Sequence, residues 1–236
     1  MFSRNTTGQG VSRLVESLQT HLLMHGATSS PNTVSGKPTS ESVNSIHNVM
    51  FEIGQPISQS DLDCMIIDAH GEAGLRFLLV EGEEWFDKNY ENPGDAWKED
   101  PDRWKPLLNE HGEMDYSYNS RINTWHGIDN VVEELSHNHD TRRAYLPIFF
   151  AADTPSITLE TMVPCIIGYQ FSIDKYDRID VAVMVRSCDI GNCLRNDIWL
   201  AHNLLKHVVS KVEGTSVGGI TFYIADLHKY SAIKSK

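Results

Sequence analysis

The chain has 236 residues, 40% hydrophobic and 22% charged, enough for one substantial core and matched to a single domain. A formal net charge of −12 excludes a broad nucleic-acid surface, which needs clustered lysine and arginine, yet it leaves room for a free nucleotide held by a few focused cations. No run of about 18 apolar residues occurs, and the first 30 residues lack the apolar stretch of a signal peptide, so a soluble, cytoplasmic protein without a membrane partner is predicted. The four cysteines, Cys64, Cys165, Cys188 and Cys193, form no CxxC pair and suggest neither a zinc ribbon nor a disulfide framework.

Residues 11–24 carry Val11, Leu14, Val15, Leu18, Leu22 and Leu23 at helical spacing and predict an amphipathic first helix. Residues 25–44 are rich in Ser, Thr, Gly, Pro and Asn and read as a flexible loop whose only lysine or arginine is Lys37. Val49 to Ile53 reads as a short strand, and residues 61–81 as a buried helix with a break at Gly71 or, from their Ile and Val content, as a strand. Between 82 and 116, Trp85, Trp97 and Trp104 alternate with acids and prolines, an irregular insertion whose tryptophans serve as packing anchors or as a platform for a flat heteroaromatic ligand. Residues 127–138 place Ile128, Val131, Val132 and Leu135 on one helical face. The turn His137-Asn138-His139-Asp140 suits a solvated loop or a chelate, and Ala144 to Phe150 is strand-like. From residue 163 the pattern gives a strand at 165–173, a hairpin at 174–178, a strand at 179–185, a helix at 197–212 and a strand at 219–225. Elements mixed in this way, without a repeated βαβ period, predict an α+β fold with a mixed sheet packed by helices, one domain over 1–236.

The chemistry-bearing residues crowd into the C-terminal third. Cys165 follows Pro164 at the start of a strand and reads either as a nucleophile, its thiolate favoured by Arg186 on the next strand, or as a buried structural thiol. Arg186-Ser187 pairs a planar guanidinium with a hydroxyl, a good combination for phosphate, and Arg142-Arg143 offers two more guanidinium groups. Asp197 reads as a helix N-cap or as a reader of a base edge, because a carboxylate only accepts hydrogen bonds and so suits an amino group such as cytosine N4. His228 and Tyr230, one residue apart on a strand, project to one side and could bond sugar hydroxyls.

Taken in order, Arg142-Arg143, Pro164-Cys165, Gln170-Phe171, Arg186-Ser187-Cys188-Asp189 and Asp226-x-His228-x-Tyr230 resemble the thymidylate synthase superfamily over the stretch from Arg142 to Tyr230, with Tyr118 as counterpart of a motif tyrosine upstream. The resemblance implies that Cys165 adds to C6 of a pyrimidine nucleoside monophosphate and that 5,10-methylenetetrahydrofolate donates the one-carbon unit. It implies that Arg186 and Ser187 hold the 5′-phosphate, that Arg142 and Arg143 reach it from the other subunit of a homodimer, and that His228 and Tyr230 grip the sugar. Asp189, Tyr118 and Trp85 would lie at the folate, and Lys37 would replace the arginine of the N-terminal loop. Thymidylate synthases carry asparagine where this chain has Asp197, and Arg195-Asn196-Asp197 resembles phage-type deoxycytidylate hydroxymethylases.

A carboxylate facing uracil O4 would set acceptor against acceptor, whereas it pairs with a cytosine amino group, so a (d)CMP C5 hydroxymethyltransferase is the leading expectation. Water then closes the reaction and needs a general acid/base, for which Glu72 is the first candidate and Glu81 the second. The resemblance departs where Cys193 lies near the place of a glycine and where the sequence ends six residues after Tyr230, before the family's closing tail. Two alternatives stand beside the leading one: thymidylate synthesis on dUMP, and a nucleotide-binding protein with reduced catalysis.

Overall fold

The computed structural model describes residues 8–29, 33–34, 37–38, 42–54, 57–86, 98–105, 108, 111–112, 114, 117–154 and 163–231. Helix α1 (Gly8–His25) buries Val11, Leu14, Val15, Leu18 and Leu22, the stripe its spacing predicts. Strands β1 (Ala27–Ser29), β2 (Thr33–Val34), β3 (Lys37–Pro38) and β4 (Ser42–Ile53) follow. Next come α2 (Gln59–Phe86), α3 (Pro101–Trp104), α4 (Tyr118–Asn123), α5 (Gly127–His137) and β5 (Tyr145–Pro147). The C-terminal part holds β6 (Ile166–Ile173), β7 (Arg178–Val185), β8 (Cys188–Asp189), α6 (Leu194–Lys211) and β9 (Ser216–Ser231).

A seven-stranded sheet runs β1-β4-β9-β7-β6-β5, with β8 added to β9, and β2 pairs separately with β3. Pairing is parallel between β7 and β9 and between β8 and β9, and antiparallel elsewhere, so the fold is α+β with a mixed sheet. Alternation fixes the two faces. Val49, Phe51 and Ile53 on β4, Ile220, Phe222 and Ile224 on β9, and Val181, Val183 and Val185 on β7 are buried and belong to one core with α1, α2, α5 and α6. Phe51 and Phe222 face each other in register and stack at 5.1 Å. The intervening residues form a barer face, where Met50 and Met184 are half-buried on either side of Tyr223, which is 47% exposed.

Three sequence expectations need correction. Residues 42–44 belong to β4 and Ala27–Ser29 pairs with it, so much of the stretch read as loop is sheet; backbone pairing overrides its polar composition. β9 extends six residues beyond the predicted strand and carries His228 and Tyr230 opposite Ser45 and Val43. α6 begins three residues earlier than expected, with Cys193 at its N-cap, and Asp197 donates its amide to Cys193 O at 2.9 Å, so Asp197 lies within the helix and is not its cap.

Two other expectations hold, the break in α2 and Trp104 as a packing residue. α2 is broken at Gly71, whose φ of 70° needs a residue without a Cβ. Trp104 stacks on Phe77 at 4.6 Å, a packing anchor. Trp97 lies outside the described residues, as do the side chains of Trp85, Glu81 and Lys37. The turn at 138–140 is exposed, and among the described residues no group of three or more His, Cys, Asp or Glu is placed to hold a metal. No described helix is long and apolar enough to cross a membrane.

Candidate active site

Cys165 immediately precedes β6, and its carbonyl accepts the Arg186 amide at 2.9 Å, which joins the start of β6 to the end of β7. The Arg186 side chain folds back under that segment: Nε donates to Pro164 O at 2.8 Å and Nη2 to Val163 O at 3.0 Å. Its charge acts on Cys165, but burial outweighs it, and with Asp197 and Asp189 adding to the burial the thiol is pushed up to about 11. The free protein therefore holds Cys165 as a thiol at neutral pH, so of the two sequence readings the activated thiolate is not its resting state.

After Ser187 the chain enters β8, where Cys188 pairs with Leu227 and Asp189 with His228, and the Ile190 amide bonds His228 O at 2.9 Å. Asp189 shapes the next turn: Oδ1 accepts the Gly191 amide at 2.8 Å, Oδ2 accepts Asn192 Nδ2 at 2.6 Å, and its carbonyl accepts the Cys193 amide at 2.8 Å. Those side-chain bonds use about half of a carboxylate's acceptor capacity. Asp197, 4% exposed, lies within hydrogen-bonding range of Cys188, whose Sγ donates to Oδ2 at 3.6 Å.

On β9, His228 is buried with Nδ1 3.4 Å from Ser187 Oγ and 3.7 Å from Asp226 Oδ1. The Tyr230 ring meets His228 edge-on at 4.9 Å. Burial, reinforced by Asp189, Cys165, Cys193 and Asp226, pushes the Tyr230 hydroxyl up to about 12, so it stays a neutral donor. Cys165, Arg186, Ser187, Asp189, Asp197, His228 and Tyr230, scattered over 66 positions of sequence, thus converge where β6 begins, β7 ends and α6 starts.

The remaining predicted residues lie on or beside α2, α4, α5 and β6. Arg142 and Arg143 are exposed after α5, with Arg143 Nε 3.3 Å from Glu134, and neither is among the charges acting on Cys165 or Tyr230. Glu72 is exposed directly after the kink at Gly71 and is likewise not among those charges. Tyr118 is half-buried at the first turn of α4 and packs against the core. Gln170 donates to Ala144 O and Phe171 O at 3.1 and 3.0 Å, bracing the β5–β6 edge.

Two features escaped sequence reading. One is the Cys188–Asp197 contact, which no periodicity reveals because it joins a strand end to a helix start. The other is Arg121, which forms a two-pronged pair with Asp153 at 2.6 and 2.8 Å and also donates to Ile148 O at 3.1 Å. Burial pushes the Asp153 carboxyl up, but the Arg121 pair and the Phe150 amide outweigh it and hold it below its usual range.

The profile of the thymidylate synthase family matches residues 79–234. Over 120 residues, 50% of this chain and 56% of the relative, the sequence is 30% identical to a Methanopyrus kandleri protein named "Putative thymidylate synthase". A Methanothermobacter thermautotrophicus protein of the same name is 32% identical over 119 residues, 49% of this chain and 51% of that protein. The chain spans about half the length of the curated relatives it matches. Thermostable thymidylate synthase A from Bacillus subtilis superposes with a TM-score of 0.64 over 95% of this chain and 80% of that one, at 15% identity, a likeness of fold.

Proposed function

The chain belongs to the thymidylate synthase family, and from that membership we propose that it is a pyrimidine nucleotide C5 hydroxymethyltransferase acting on CMP or dCMP. Proteins of this family are one-carbon transferases that bind a pyrimidine nucleoside monophosphate and use methylenetetrahydrofolate. The observation that carries the cytosine reading is Asp197: an almost fully buried carboxylate whose charge acts on Cys165. An acceptor-only group buried beside the nucleophile favours a base that offers an amino group, and facing a carbonyl oxygen it would cost a few kcal/mol.

Cys165 forms the bond to C6 of the base, and the electron pair of the C5–C6 double bond moves to C5, which becomes nucleophilic. Because the resting thiol lies near 11, its proton must leave as the nucleotide docks. Arg186 and Ser187 bind the 5′-phosphate, and His228 and Tyr230 donate to or accept from the sugar hydroxyls. Methylenetetrahydrofolate supplies, when bound, a one-carbon unit at the oxidation level of formaldehyde. Asp189, Tyr118 and Trp85 would hold it, with Lys37 supporting the phosphate. Glu72 serves as general acid/base for the water that closes hydroxymethylation.

The protein acts as a homodimer. Met50, Tyr223 and Met184 form an apolar row on the barer sheet face that a second copy would cover, and the resemblance to the family implies that Arg142 and Arg143 reach the phosphate held by the other subunit. The names of the Methanopyrus and Methanothermobacter relatives favour a second reading, methylation of dUMP. Incubation with CMP or dCMP, formaldehyde and tetrahydrofolate tests the first reading: a 5-hydroxymethyl nucleotide is expected, and Cys165→Ala abolishes it. Dihydrofolate formed from dUMP, with no cytidylate product, selects the second.

A further inference from the structure

We infer that Cys188 is a positioning residue for substrate selection: its S–H bond to Asp197 Oδ2 fixes the orientation in which that carboxylate meets the base. The inference rests on the proposed reading of Asp197 as the group that receives the cytosine amino group.

The geometry around the pair is set by backbone bonds on both sides. Cys188 is held by its pairing with Leu227 on β9, and the following turn is fixed by Asp189, which accepts from Gly191, Asn192 and Cys193. Cys193 O in turn accepts the Asp197 amide at 2.9 Å, so strand end and helix start cannot drift relative to one another. Across this frame the Cys188 Sγ lies 3.6 Å from Asp197 Oδ2, and Cys188 is 1% exposed.

A thiol donates only if it keeps its proton. Burial first, and the Asp197 charge second, push the Cys188 thiol well above its usual value, so it is S–H throughout the neutral range. The terminal torsion of an aspartate is broad and roughly two-fold, and a carboxylate with one oxygen held loses that freedom. Asp197 then presents a fixed edge to a base, and the preference for an amino donor over a carbonyl acceptor becomes geometric as well as electrostatic. Cys188 need not touch the nucleotide to do this.

Three variants separate this role from packing. Cys188→Val keeps an apolar side chain, one branch larger, and removes the donor, Cys188→Ser keeps a donor, and Asp197→Asn removes the acceptor charge. Calorimetric affinities for dCMP and dUMP, with thermal melts as a folding control, give the ratio of interest. In the valine variant the dCMP-to-dUMP preference is expected to fall about five- to tenfold, with serine restoring most of it. Infrared spectroscopy reads the bond directly in the unliganded protein: the S–H stretch lost in Cys188→Val should lie at reduced frequency in the wild type and rise in Asp197→Asn.

An S–H band unmoved by Asp197→Asn overturns the inference whatever the substrate. So does a wild-type preference for dCMP that survives intact in a folded valine variant, which leaves the cytosine reading standing. A wild type that binds both nucleotides equally overturns both, and is recognised by the wild-type ratio alone.

Discussion

His202 gives the structure a measurable acid sensitivity. It lies on α6 with 3% exposure, and its Nδ1 has no hydrogen-bond partner. Facing it are Lys206 from its own helix and Asp63 from α2, which itself accepts Trp199 Nε1 at 2.7 Å and Gln59 Nε2 at 2.9 Å. Burial first and Lys206 second outweigh Asp63 and draw the imidazole down from 6.5 to about 4. At roughly 1.4 kcal/mol per pH unit, the fold resists that proton by about 3 kcal/mol.

The sign follows from the depressed value. Above pH 6.5 folded and unfolded chains both carry neutral imidazole and stability is at its full level; between 6.5 and 4 the unfolded chain takes up the proton first, and stability falls. Urea unfolding of wild type and His202→Leu at pH 7, 6, 5 and 4 isolates this contribution, because the carboxylates titrate in both. The wild type should lose about 3 kcal/mol more than the variant across that window. Parallel stability curves, or an NMR titration placing His202 near 6.5, would refute the reasoning.

Three further outcomes are expected. Arg121→Met leaves Asp153 buried without its guanidinium and should cost about 3–5 kcal/mol by urea unfolding, whereas a joint Arg121→Met/Asp153→Leu change should recover much of that loss. Cys165, raised by burial, should react with iodoacetamide in the free protein with a rate rising through pH 11, and its contribution to stability is present below pH 9 and lost as pH rises through 11; a rate plateau near neutrality contradicts the burial. Glu72→Gln should lower hydroxymethyl product about 10²-fold or more with nucleotide affinity unchanged, and unaltered turnover would pass the role to Glu81.

Much of this architecture is legible from periodicity and turn residues. The stripe of α1, the break at Gly71, the apolar face of α5 and the β6–β7 hairpin follow from side-chain spacing and from one glycine with φ above zero. What spacing does not show is pairing by backbone alone, which is why residues 42–44, with Ser42 and Asn44 polar, were not recognisable as strand. The site motifs were legible as a string, and their convergence depends on the β8–β9 register, which places Asp189 beside His228. The state of Cys165 was not legible, because a thiol's ionisation reflects how deeply the fold buries it and which charges share that space. The burial of Asp197 beside Cys188 is of the same kind: it needs the turn at Asp189 to exist first.

Tritium release from C5 of dCMP and of dUMP, measured side by side on wild type and Asp197→Asn with tetrahydrofolate and formaldehyde present, probes the central claim most directly. Release from dCMP by the wild type and a shift toward dUMP in the asparagine variant are expected. Release from dUMP alone by the wild type would contradict a cytosine-reading carboxylate at Asp197.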